Sequence, residues 1–258
     1  MLADLIPLSL DALFLLMLAT AAAGFIDAIA GGGGLIVVPA LMLAGLPPAQ
    51  ALATNKVQGI FGALSATVQY ARLGLIEPRR HILPVLICFA FGLCGASLVL
   101  IIPTEALAGV LPLAMIAVAL FFLLRKGLDD TERKPRIRHA TFFATLAPMI
   151  ALYDGLFGPG TGSFYVMALV TLCGAGLLRA TALSKMLNAS SNMGGLAGFA
   201  LLGEPQWALG VLLALAAVLG ATLGARVAAR VGARLIRPLL VVTSSALAIR
   251  LLLDRLGG

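Results

Sequence analysis

Charge is what this sequence has least of. Asp, Glu, Lys and Arg make up 11% of its 258 residues, where a soluble domain carries roughly a quarter. Hydrophobic residues reach 61% and mean hydropathy is +1.07. A soluble fold of this length could not hide so much apolar surface, so the solvent is lipid. Histidine is scarce as well, with only His81 and His139. A membrane-embedded enzyme would draw its acid–base chemistry most readily from histidine, and neither residue lies near a Ser–Asp or metal-ligand pattern. No CxxC, HExxH or phosphate-binding loop occurs, which argues against an enzyme, a metal site or a cofactor. The stretch "GPGTG" (158–162) looks like a piece of a nucleotide loop but lacks the Lys-Ser/Thr that would follow. Cysteines are few: Cys88, Cys94 and Cys173 all fall in apolar runs and read as small buried hydrophobes. The opening "MLADLIPLSLDALFLL" contains no Lys or Arg, so it does not read as a cleavable signal peptide. The net charge of +7 then reads as loop charge on one side of a membrane, not as a nucleic-acid surface.

What is present is a series of apolar segments, at about 12–30, 35–45, 49–71, 81–102, 104–124, 140–157, 163–174, 180–202, 206–225 and 238–253. A spanning helix needs about 20 apolar residues, so the second and seventh are too short to cross alone. Each follows a glycine-rich break. Cations gather at 72–80 (Arg72, Arg79, Arg80), at 125–138 and at 226–237 (Arg226, Arg230, Arg234, Arg237), while the joints at 102–106 and 203–206 have none. By the positive-inside rule the first group faces the cytoplasm and the N-terminus lies outside, in an inner, cytoplasmic membrane crossed many times. Arg250 and Arg255 depart from that alternation.

The chain is also written twice. "GFIDAIAGGGGLIVVPALMLAG" (24–45) aligns with "ALYDGLFGPGTGSFYVMALVTLCG" (151–174), so that Asp27 meets Asp154 and Gly31 meets Gly158 at a shift of 127. A small insertion near Thr161 moves the shift to 129, after which Lys56 meets Lys185 and Gly74 meets Gly203. The Gly74 joint is rich in cations and the Gly203 joint has none, which places the halves in opposite orientations. The expected architecture is an all-α polytopic membrane protein of two inverted five-segment repeats with glycine-broken or re-entrant helices. The halves are 1–125 and 139–258, joined by a cytoplasmic loop at 126–138. Inverted repeats with broken helices at the midplane are the mark of secondary transporters.

Irregular backbone at membrane depth is tolerated where it lines a cavity or is buried in protein. Glycines allow a positive φ and a close backbone approach, and the freed N–H groups at the start of the next short helix favour an anion. Of the 29 charged residues (18 Lys and Arg, 11 Asp and Glu), only Asp27, Lys56, Asp154 and Lys185 fall well inside apolar segments. Each costs about 2.5 kcal/mol or more at a helix centre, so each needs a partner or a wet cavity. Two Asp–Lys pairs that only pin the fold are one reading. Lysines that attract an anion, with aspartates that position them or carry a proton, are the other. Polar residues surround both lysines: Thr54, Asn55 and Gln58 around Lys56, and Ser184, Asn188, Ser190, Ser191 and Asn192 around Lys185.

These motifs, "GFIDAIAGGGG" with "ATNKVQGIFGALSATVQYARLG" and "DGLFGPGTG" with "TALSKMLNASSN", resemble the TauE/SafE family of sulfite and organosulfur anion exporters over nearly the whole chain. The resemblance implies a secondary transporter of small sulfur-containing or carboxylate anions. The substrate site is expected at Lys56, Lys185, Asn55, Gln58, Ser184, Asn188, Asn192, Gly33, Gly34, Gly160, Thr161, Gly162 and Ser163. Asp27 and Asp154 are expected to serve ion coupling or structure, with a proton or sodium as the coupling ion. An anion channel and an importer of a small carboxylate are the competing readings.

Overall fold

The structure, a computed structural model, describes residues 8–99, 130–201 and 205–232. All regular structure among them is helical. Helix α1 (Leu10–Ala30) starts where the Ser9 hydroxyl accepts the Ala12 N–H at 3.2 Å and stops at Gly31, whose φ of 81° a residue with a Cβ rarely adopts. Helix α2 (Gly34–Leu43) and α3 (Pro48–Arg72) follow, the latter with proline in its first turn. A 3₁₀ turn (Pro78–His81) leads into α4 (Ile82–Val99).

The second stretch holds α5 (His139–Ala144), α6 (Leu146–Leu156), α7 (Thr161–Thr171) and α8 (Leu177–Leu201). Helix α9 (Trp207–Val231) closes the described chain. Among the described residues, three segments are long and apolar enough to cross a membrane: Leu10–Ala30, Pro78–Val99 and Trp207–Val231. At 1.5 Å per residue, α2 and α7 reach only about 15 Å, half of a hydrocarbon core. Helices α3 and α8, 25 residues each, are as long as α9 but carry most of the buried polar residues. They form the inside of the bundle: α8 packs on α4, α3, α7 and α6, and α9 packs on α1 and α3.

Small residues set these contacts, as expected where lipid removes the hydrophobic drive between helices. A Cβ on Gly220 of α9 would stand 1.9 Å from the Ala21 carbonyl oxygen of α1, and one on Gly194 of α8 would stand 2.0 Å from that of Phe89. On the outer side, Leu215, Leu219 and Leu223 form a stripe along α9, each more than half exposed. An apolar stripe of that kind is lipid-facing in a membrane and a liability in water.

Eight of the ten apolar segments fall on described residues, and their boundaries agree to within a few residues, with two exceptions. The segment at 140–157 is not one helix: it breaks at Thr145 (φ −123°, ψ −70°). Pro148 explains this, because its ring would clash with the carbonyl four residues back, at Ala144. Helix α9 runs past 225 to Val231, since Arg226 and Arg230 are exposed enough to carry their charge to water along an apolar stem. Cys88 and Cys173 are buried as expected, but Cys94 is exposed on α4; an apolar neighbourhood in sequence says nothing about which side of the helix meets lipid. The segments at 104–124 and 238–253, Gly203, and Arg234, Arg237, Arg250 and Arg255 lie outside the described residues.

The connecting loop is bound to the protein over 130–138. Arg133 donates its N–H to Gly174 (2.8 Å), Arg136 to Leu172 (2.8 Å), and the Asp130 carboxylate accepts the Leu178 N–H at the head of α8 (2.8 Å).

Candidate substrate site

The two glycine breaks meet. A Cβ on Gly31 would stand 2.5 Å from the backbone nitrogen of Ser163 and one on Gly162 would stand 3.2 Å from the Gly31 Cα. Ser163 Oγ donates to the Ala30 carbonyl at the end of α1 (3.0 Å), and Gly34 lies against Pro159. The ends of α1 and α6 and the starts of α2 and α7 therefore converge at one point. Gly158 (φ 85°) and Gly160 (φ 88°) turn the chain there as Gly31 does in the first half.

The lysines and aspartates cross over between the halves. Lys56 Nζ sits 2.5 Å from Asp154 Oδ1 and also donates to the Asp154 backbone carbonyl. Lys185 Nζ sits 2.9 Å from Asp27 Oδ2. Each pair thus ties one half's long polar helix to the broken helix of the other. The Lys56–Asp154 pair is sealed, and Asp154 Oδ2 also accepts the Ser191 hydroxyl and the Asn192 amide. Asp27 is more open: its side chain is 20% exposed, and Oδ1 accepts the Gly33 N–H at 2.9 Å.

Between the breaks lies a cavity of about 40 Å³. One ordered water needs at least about 10–15 Å³ on this measure, so the space suits about three waters or one small oxyanion and nothing of drug size. Its walls include Gly33 and Gly34 from the first break and Gly160, Thr161 and Gly162 from the second. Asn55 and Gln58 come from α3 and Asn188 and Asn192 from α8. Gly59 and Gly62 of α3, which the sequence did not single out, complete the α3 face. Their spacing from Asn55 is three- and four-residue throughout, a face that helical periodicity could have found.

Four backbone N–H groups of lining residues, those of Gly32, Gly34, Gly160 and Gly162, have no acceptor among the described residues. An unpaired buried N–H is costly; Gly32, Gly160 and Gly162 are buried and Gly34 half-buried, and four such groups drawn from both halves around one small cavity define an environment suited to a negative oxygen ligand.

Not every expected residue lines this space. Ser184 is fully buried and its hydroxyl donates to Thr181 one turn back (2.9 Å), and Ser163 Oγ is committed to Ala30. Both lysines stand behind the glycines: Cβ atoms on Gly158 and Gly162 would come within 2.8 Å of Lys56 Nζ and 2.9 Å of Lys185 Nζ respectively. Their charge reaches the cavity through the backbone and not by direct contact. His81 and His139 come together elsewhere, on either side of Phe143 (ring centroids 5.7 and 6.3 Å), at a separate cavity of about 740 Å³ on the cation-rich side.

Lipid-facing helices around a bundle with two half-length helices and a buried polar site define a membrane transporter. The Sulfite exporter TauE/SafE family matches residues 16–251. A "Probable membrane transporter protein ORF9" of Sinorhizobium sp. is 47% identical over 247 residues, covering 96% of this chain and 95% of that protein. "Probable membrane transporter protein YfcA" of Escherichia coli K12 is 42% identical over 251 residues, covering 97% and 92%. A "Probable membrane transporter protein" of Haemophilus influenzae is 38% identical over 248 residues, covering 96% and 97%. No solved structure matches. The chain belongs to the TauE/SafE family.

Proposed function

We propose that the protein is a secondary transporter, not an enzyme, that exports a small oxyanion of the sulfite or organosulfonate class by alternating access. The observation that carries this reading is the set of four backbone N–H groups, without an acceptor among the described residues, on glycines that line one small cavity at two broken helices. Asn55 and Asn188 supply side-chain amide donors there; Gln58, Asn192 and Thr161 also line the cavity, but in this conformation Gln58 donates to Asn55 Oδ1 (2.8 Å), Asn192 to Asp154 and Asn188, and Thr161 to Gly158 (2.6 Å). Lys56 and Lys185 supply positive potential from the second layer. The size of the cavity favours sulfite-sized ligands over larger ones, and the family's printed description points to the same class.

The two sequence halves act as inverted repeats in the cytoplasmic membrane, with the N-terminus outside. Rocking one half against the other would open the site to each side in turn, while the crosswise ion pairs keep the breaks together.

A thermal-shift screen of the purified protein against sulfite, sulfate, thiosulfate, sulfoacetate, acetate and chloride tests the ligand class. A ligand that binds only the folded state at 100 times its Kd stabilises by about 2.7 kcal/mol. Stabilisation by a sulfur oxyanion, weakened in Asn55→Leu and Asn188→Leu, is the expected result; no response to any anion would refute it. Counterflow in proteoliposomes separates transporter from channel, because only a transporter exchanges labelled for unlabelled substrate against a gradient.

A further inference from the structure

An anion site should not be lined by a carboxylate, yet Asp27 is the one ionisable side chain among the described residues that line the cavity. Its ionised form would repel an arriving anion and would also consume the charge of Lys185, 2.9 Å away. Asp154, its counterpart in the sequence repeat, is placed differently. It does not line the cavity and its side chain is 1% exposed. It accepts from Lys56, Ser191 and Asn192 together. At the shift of 129, Ser191 and Asn192 correspond to Gly62 and Ala63, so the first half has no hydroxyl or amide to hold Asp27 in the same way. The repeat has kept the two carboxylates and divided their environments.

We propose that Asp27 is the proton carrier of the transport cycle, binding its proton and the anion together, and that Asp154, held by Lys56, Ser191 and Asn192, is a structural anchor. This rests on the anion-site reading above. A proton from water adds to a carboxylate oxygen of Asp27, which becomes a neutral acid. Lys185 keeps all of its ammonium protons and loses its counter-charge, so one positive charge is left directly behind Gly162. The anion then enters a cavity whose only lining charge has been neutralised and whose nearest cation has been released. Anion and proton travel in the same direction, and deprotonation of Asp27 on the far side restores the Lys185 pair and expels the anion.

Few other groups face Asp27. Lys185 approaches from α8. Tyr70 of α3 lies nearby with its hydroxyl on the Ala28 carbonyl (2.7 Å). Helices α2, α7 and α9 bring no ionisable side chain to the cavity among the described residues.

The test measures binding of methanesulfonate, whose charge is fixed across the range, to the purified full chain between about pH 5 and pH 9. Binding linked to uptake of a single proton weakens about tenfold per pH unit over the range in which that proton is taken up. The same binding, followed in weak buffer with a pH indicator, should consume about one proton per anion. Asp27→Asn should bind with an affinity that no longer varies with pH and should exchange anion without moving protons. A wild-type affinity that is flat with pH with no proton uptake would overturn the proposal, as would undiminished pH dependence in Asp27→Asn. Failure of the wild type to bind methanesulfonate, sulfite or sulfate at every pH would instead overturn the anion-site reading, and this proposal with it.

Discussion

Lys56→Met is the perturbation whose outcome is most tightly constrained by geometry. Lys56 and Asp154 are 2.5 Å apart with side chains 0% and 1% exposed, so removing the ammonium leaves a carboxylate with no water and no cation. Ser191 and Asn192 still donate to it, but two neutral donors do not replace a charge. Breaking a buried pair by truncating one partner costs about 3–5 kcal/mol, whereas replacing both partners by neutral groups of similar size is often near neutral. Lys56→Met should therefore cost about 3–5 kcal/mol, and Lys56→Met/Asp154→Leu should recover most of that loss. Unfolding of purified protein in mixed micelles, followed by helical circular dichroism, reads both. Lys185→Met should cost less, because Asp27 keeps access to the cavity, and its main effect should be on anion affinity. The reasoning fails if Lys56→Met is within about 1 kcal/mol of wild type, or if the double variant is no more stable than the single one.

Other expectations follow from single contacts. Gly162→Ala places a Cβ 2.9 Å from Lys185 Nζ; the lysine must shift, so anion affinity in the thermal-shift assay should drop while the protein still folds. Gly220→Leu drives a side chain into the Ala21 carbonyl, which a Cβ alone would approach to 1.9 Å, and should abolish the monodisperse peak in size-exclusion chromatography. His139, at the cation-rich rim, is held below the ordinary imidazole range by burial, with Arg179 and His81 adding to the effect and Glu132 opposing it. Its folded form binds fewer protons than its unfolded one, so its contribution to stability is present above the ordinary imidazole range and lost as pH falls through the depressed value. His139→Gln should flatten the pH dependence of thermal stability on the acid side.

Much of this was legible in the chain. The four charges inside apolar segments, Asp27, Lys56, Asp154 and Lys185, are the residues that form the two Asp–Lys pairs, one buried and one partly open. The glycine runs do break helices beside them. What the sequence did not convey was direction. Asn55 and Lys56 are neighbours on one helix and so point about 100° apart; only one of them can face the cavity, and Asn55 does. That the pairs cross between halves depends on how the broken helices interdigitate, a tertiary property with no local signal. The different fates of Asp27 and Asp154 come from Ser191 and Asn192, which the sequence showed as polar lining near Lys185 but not as anchors of a carboxylate. The kink at Thr145 was readable from Pro148, three residues on, had the apolar run not suggested a continuous span.

The most direct measurement is a structure of the protein with selenite, whose anomalous scattering marks an oxyanion unambiguously. The account predicts a single strong peak between the two glycine breaks, within hydrogen-bond distance of the N–H groups of Gly34 and Gly162. A peak confined to the cavity beside His81 and His139, or none between the breaks at saturating selenite, would contradict it.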